Sequence, residues 1–141
     1  MRFMVMIKAS ADSEAEVQPE EGLLLEMGKY NEALVKAGIM VDGAGLMSTV
    51  KGARVQITDG KPMVTDGPFT EIKEVIAGFW IWNCSSLQEA IDWVAKCPIA
   101  HGQDRFEIRQ MHELEDFATE GEGYEQHKKV EAELAAQKSG A

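Results

Sequence analysis

The stretch Val64-Thr65-Asp66-Gly67-Pro68-Phe69-Thr70-Glu71-Ile72-Lys73-Glu74, running straight into the apolar segment Val75 to Trp82, decides the fold. Pro68 has no amide hydrogen and biases Gly67 towards extended backbone, so neither a helix nor a regular ladder continues through this point. A turn is required. Asp66 is placed to accept a hydrogen bond from the amide of Phe69 or Thr70, as short acidic side chains do in Asx-turns, with Phe69 as the apolar anchor. Glu71, Lys73 and Glu74 read as a solvated rim. Ala77 to Cys84 then alternates as a strand, with Phe79 and Ile81 on one face and Trp80 and Trp82 on the other.

Upstream of the turn, Ala53 to Thr58 and Met63 to Thr65 flank Asp59-Gly60-Lys61-Pro62, and Asp-Gly is a strong hairpin signal. Arg2 to Ala9 reads as a central strand, because Phe3, Val5 and Ile7 alternate with Met4, Met6 and Lys8 and both sets are largely apolar. Ala11 to Gln18 is a polar connection. Pro19-Glu20-Glu21 opens a helix that runs to about Gly38, with Leu23, Met27, Tyr30 and Leu34 on one face. Ile39 to Leu46 is a second strand, in which Gly43 and Gly45 allow a bulge or a close backbone approach. They do not make a phosphate loop, since Ser48 stands where the third glycine would be and no helix follows. Downstream, Ser86-Leu87-Gln88-Glu89 is a capping box for a helix ending at Cys97-Pro98, and Asp104 to His112 is the last core strand. Its Phe106 and Ile108 face one way, and Arg105, Glu107, Arg109 and Met111 the other.

The order β-α-β, hairpin, β-α-β is a ferredoxin-like α+β plan, an antiparallel sheet with two helices on one face. Met4, Met6, Trp80, Trp82 and Met111 would leave a large apolar patch on the other face, which in a soluble protein implies an interface or a pocket. From Glu113 the composition turns to an acidic, glycine-containing linker. Tyr124 to Lys138 follows as a sparse helix with Val130 and Leu134 as its stripe, a helical arm or a free tail. The expected organisation is a body over 1–112 and an arm over 113–141.

Several residues point to a family. Asp66-Gly67-Pro68-Phe69 with Thr70 to Glu74 and the strand Gly78 to Trp82 resemble the DGPF-type branch of the YCII-related proteins. Met27-Gly28-Lys29-Tyr30-Asn31-Glu32, Lys51 to Val55, Trp93 to Pro98 and Phe106 to Gln110 extend the likeness over about four-fifths of the chain. The resemblance implies a ferredoxin-like domain that pairs into a dimeric α/β barrel. It also implies an association of some relatives with extracytoplasmic-function sigma factors. Other YCII-related proteins carry a histidine on the first helix and an aspartate before the proline that ends the second, a pair suggestive of acid–base work. Here Cys97 precedes Pro98 and the first helix has no histidine, so that activity is not carried over.

With 141 residues, 45% hydrophobic and 27% charged, the chain has the length and composition of one domain with a real core. A formal net charge of −10 disfavours direct binding to nucleic acid or to anionic lipid. Met1-Arg2 enters a strand pattern with no leader-like core and no membrane-length apolar run, so a cytoplasmic location is expected. Two cysteines, Cys84 and Cys97, make no disulfide framework, and they and the histidines His101, His112 and His127 have no metal-ligand spacing, so neither metal nor cofactor is expected. No nucleophile elbow is present, and Cys97 at a helix C-terminus meets the wrong end of the dipole for a thiolate.

The remaining candidate is a cleft. If Trp80 and Trp82 face a barrel interior, Met4, Met6, Lys8, Asp42, Arg109 and Met111 share that face, apolar walls with a few polar groups. The same residues also suit a plain homodimer core, with Arg109 paired to Asp42 or Glu107. Asp66 is a turn former or a polar group at the pocket mouth. Two functions follow: a small-molecule binder or enzyme using the cleft, or a non-catalytic partner protein.

Overall fold

The computed structural model describes residues 1–99 and 105–140. The chain separates into two compact units, Met1–Gln110 and Met111–Ala141. At the centre of the first unit, β1 (Arg2–Lys8) pairs antiparallel with β5 (Ile76–Asn83), and β2 (Met40–Gly45) and β6 (Phe106–Gln110) complete a sheet of order β2-β5-β1-β6. A short α1 (Ala11–Glu14) and a long α2 (Glu21–Lys36) join β1 to β2, and α3 (Leu87–Val94) joins β5 to β6. β3 (Ala53–Thr58) and β4 (Lys61–Asp66) form a separate two-stranded hairpin. With the hairpin as an insertion, this order and connectivity are the ferredoxin-like α+β fold expected from the sequence.

Register fixes which side chains share a face, since residues directly opposite on antiparallel strands point the same way. Phe3 lies opposite Trp82, Val5 opposite Trp80 and Ile108, and Ile7 opposite Phe106. This face carries the helices. Tyr30 and Leu34 of α2 and Ala90 of α3 are buried in one cluster with Phe3, Val5, Trp80 and Trp82. The ring of Tyr30 stands edge-on to Trp80 at 5.9 Å and to Trp93 at 6.5 Å.

The expectation that Trp80 and Trp82 lie on the helix-free face is therefore corrected: they are 5% and 0% exposed, inside the core of their own chain. On the opposite face Met4 pairs with Ile81 and Arg109, Met6 with Phe79 and Glu107, and Asp42 with Ile81. The reason is energetic. The two indoles hold the most apolar area available to the sheet, and they bury it against the apolar stripes of α2 and α3.

Local signals explain the element ends. α2 stops in a Schellman arrangement: Gly38 sits at φ +73, the Ile39 amide donates to the Leu34 carbonyl and the Gly38 amide to that of Val35. Asp59 and Gly60 take φ 51 and 75, the paired left-handed conformation of a two-residue hairpin turn. Ser86 caps α3 by accepting from the Glu89 amide at 3.1 Å. The Glu89 carboxylate reaches Ser85 N at 3.1 Å rather than closing a box on Ser86. α1 stands where a plain connection was expected, held by a reciprocal Ser10–Ser13 capping box. His101 and Asp104 lie outside the described residues.

The turn after β4 is built differently from the expectation. The Phe69 amide donates to Thr49 Oγ1 at 3.0 Å and the Gly67 amide to the Gly52 carbonyl at 3.0 Å, so the 48–52 segment holds the turn and Asp66 does not cap it. Thr49 is fixed in its own right, its amide 3.2 Å from a Glu14 carboxylate oxygen and its hydroxyl donating to the other. A Cβ on Gly67 would stand 1.6 Å from the Thr49 carbonyl oxygen, so only glycine fits there. Arg54 lies over the Phe69 ring at 3.9 Å.

In the second unit, α4 (Glu122–Ser139) follows a short 3₁₀ turn, Leu114–Asp116, in which the His112 ring stacks 4.6 Å from Phe117. Every described residue of α4 except Tyr124 is exposed.

Candidate functional site

A pocket of about 450 Å³ opens between α2 and the β2–β5 side of the sheet. Its walls include Ile7, Met27, Trp80 and Ile99, and its polar side chains are Asn31 and Arg105. Missing side chains make the space. Gly45 lies directly opposite Gly78 across the β2–β5 pair, and a Cβ on Gly45 would meet nothing within 4 Å. One pair along, Gly43 faces Trp80, and there a Cβ would come within 2.8 Å of the indole. Gly43 thus seats the indole while Gly45 leaves the cavity floor bare.

The indole is pinned. Trp80 Nε1 donates to Asn31 Oδ1 at 3.0 Å, tying the pocket wall to α2 and leaving the Asn31 amide nitrogen as a donor. Arg105 immediately precedes β6, where its carbonyl accepts from the Lys8 amide at 2.8 Å. Its Nε is buried and has no hydrogen-bond partner among the described residues. Among the described residues lining the pocket, Arg105 is the one charged side chain, and none carries a carboxylate, imidazole or thiol.

The neighbouring ionisable groups are held neutral. Burial pushes the Cys97 thiol up, partly countered by a backbone hydrogen bond at Ile99 and by the positive charge of Arg105. Burial first, then the nearby Glu89 carboxylate, does the same to Cys84. Tyr30, whose hydroxyl donates to the Trp93 carbonyl at 2.5 Å, is raised far above the usual phenol range, chiefly by desolvation. These groups pack the core; they are not nucleophiles at neutral pH. No cluster of three or more metal-ligating side chains occurs among the described residues.

The cleft residues expected from the sequence are dispersed. Met6, Lys8 and Arg109 do meet, around a cavity of about 360 Å³ on the helix-free face, and Met4 and Asp42 share that face. Trp80 and Trp82 point the opposite way, and Asp66 ends the hairpin on an exposed position. Within one chain Arg109 does not pair with Asp42, because β2 and β6 are the two edges of the sheet, about 14 Å apart at three strand spacings. Arg105 was placed with Arg109 by alternation; it instead lines the helix-side pocket, because the strand starts only at Phe106. Sequence reading missed Asn31 and Arg105 as site residues. The Gly45–Gly78 pair was the available signal, small residues facing each other on a helix-covered strand pair.

The fold and pocket define a ferredoxin-like α+β domain with a mostly apolar, cation-bearing cavity under its first long helix. The YCII-related domain model matches residues 1–115, and the chain belongs to the YCII-related family. It is 32% identical over 95 residues to an uncharacterized protein of Rhizobium meliloti (strain 1021), covering 67% of this chain and 77% of that one. Among solved structures it is similar, at a TM-score of 0.46 and 19% identity, to 5-chloro-2-hydroxyhydroquinone dehydrochlorinase from Burkholderia phenoliruptrix AC1100 in complex with 2,5-dihydroxybenzoquinone. That alignment covers 79% of this chain and 94% of the dehydrochlorinase chain. Among the described residues, no helix is long and apolar enough to cross a membrane.

Proposed function

We propose that this protein binds a small, mainly apolar organic molecule in the pocket beneath α2. The observation that carries the reading is the open floor at Gly45, where a Cβ would meet nothing within 4 Å, beside a buried, hydrogen-bonded Trp80. A volume of about 450 Å³ suits a single-ring compound with short substituents. Binding is favoured over covalent catalysis because the nearby thiols and phenol are held protonated.

The test is titration of a panel of one-ring aromatics, followed by calorimetry and by the tryptophan emission that Trp80 contributes. At least one compound is expected to saturate, and Gly45→Leu, which places a side chain in the empty floor, should abolish that binding with the melting temperature held. Saturation that survives Gly45→Leu would move the ligand elsewhere. A panel that never binds would leave the non-catalytic reading, a partner protein of the kind the resemblance links to extracytoplasmic-function sigma factors.

The helix-free face carries Met4, Met6, Phe79 and Ile81 at its middle, with Glu107, Arg109 and Asp42 towards its edges. An apolar centre with a charged rim is the anatomy of a protein interface, and a second copy of the chain is the proposed cover, giving the dimeric α/β barrel. Light scattering should return about twice the monomer mass at micromolar concentration. A monomer there would remove the barrel from the proposal and leave the pocket untouched.

A further inference from the structure

We infer that the ligand of the α2 pocket is an organic anion, an aromatic or similarly planar carboxylate or phenolate, and that Arg105 is the group that recognises its charge. The inference rests on the pocket reading and adds a substrate class to it.

A guanidinium is always protonated, and a buried donor without an acceptor is expensive, more so when it belongs to a charged group. Native interiors rarely keep such a group without a use. Arg105 Nε is buried and unpartnered among the described residues, while the side chain lines a cavity otherwise walled by Ile7, Met27, Trp80 and Ile99. No described carboxylate lines the cavity to neutralise it, although the chain as a whole carries a net charge of −10. Among the described lining residues the charge is thus positive, on an acidic protein. An anion entering it would supply the missing acceptor, and the planar fork of Arg suits a carboxylate in two-point contact.

The second polar group sharpens the class. The Trp80 indole already takes one of the two lone pairs of the Asn31 carbonyl oxygen, while the two N–H donors of its amide stay available to a ligand. Both polar side chains of the cavity therefore offer hydrogen-bond donors. The complementary ligand is rich in acceptors, with its apolar body against Trp80 and Met27.

Benzoate and its neutral isostere benzamide make the test, each titrated into the full-length protein at pH 7. Benzoate should bind about tenfold or more tightly than benzamide, as charge-assisted hydrogen bonds require. Arg105→Gln should remove that preference and leave benzamide within about twofold, while Arg105→Lys, which keeps the charge but not the fork, should retain part of it. Circular dichroism and melting confirm that each variant is folded. Added salt should weaken benzoate and spare benzamide. Equal binding of the two probes to the wild-type protein, or a benzoate preference that survives Arg105→Gln, would overturn the anion assignment and leave the pocket reading standing. Failure of both probes to bind, with Gly45→Leu indistinguishable from wild type, would overturn both.

Discussion

The two faces of the one sheet are nearly matched in apolar content and opposite in fate. One carries Phe3, Val5, Trp80 and Trp82 and packs on α2 and α3; the other carries Met4, Met6, Phe79 and Ile81 and faces away from α2 and α3, with Met6 buried and the other three half-buried. Strand alternation sorts residues into two sets with certainty, yet it says nothing about which set the helices will choose. That choice is made by fit. The Tyr30 and Leu34 stripe of α2 meets the two indoles, and Trp80 finds in Asn31 a partner for its N–H. Trp82 Nε1 is buried with no partner among the described residues, a cost of about 1–3 kcal/mol that the burial of a whole indole outweighs.

The largest effect expected from this contrast is on stability. Trp82→Ala should lower the unfolding free energy by about 3–5 kcal/mol, the usual cost of truncating a fully buried aromatic residue. Its neighbour Ile81, half-buried on the other face, should cost only about 1–2 kcal/mol when cut to Ala, and that loss should grow with dilution if a second copy covers the face. Denaturant unfolding of both variants at two protein concentrations measures the difference. Equal, concentration-independent losses would break the contrast between the faces.

A smaller effect on folding, with a large one on assembly, is expected from Met4→Lys. Met4 sits at the middle of the helix-free face, between Ile81 and Arg109. A charge there should halve the mass seen by light scattering while shifting the monomer's own stability by about 0.5 kcal/mol or less, as surface substitutions do. Retention of the dimer would show that the second copy docks somewhere else.

How much of this was legible beforehand follows from the physics of each element. The order of strands and helices was readable because turn chemistry is local: Asp59-Gly60, Gly38 and Ser86 sit where the backbone needs them. The turn at Asp66 was found but wrongly explained, since its real support is Thr49, far back in the chain and recognisable only once folded. The pocket was hidden for a similar reason. Asn31 lies on α2 and Arg105 just before β6, and the space beside them stays open where Gly45 lacks a side chain. Alternation also misled at Arg105, which stands one residue before the strand and so escapes the rule that governs Glu107 and Arg109.

The smallest effect tests how tightly the helix-covered face is closed. Tyr30 donates its hydroxyl to the Trp93 carbonyl and is raised well above the ordinary phenol range by desolvation, with the nearby Cys97 and Cys84 adding to it. A group whose folded pKa lies above its unfolded value contributes stability that is complete below the unfolded pKa, near 10 for a phenol, and is lost as pH rises beyond it, because the unfolded chain then gives up a proton the folded one retains. The wild-type protein should therefore lose stability progressively above about pH 10. Tyr30→Phe should cost about 1 kcal/mol at pH 7 through the lost hydrogen bond, and should flatten the Tyr30 part of that alkaline decline. The other tyrosine, Tyr124, serves as the control: Tyr124→Phe should leave the alkaline limb unchanged. If Tyr30→Phe and the wild type fall in parallel from pH 9 to 11, water reaches the phenol, and the helix-covered face is as open as the one beneath it.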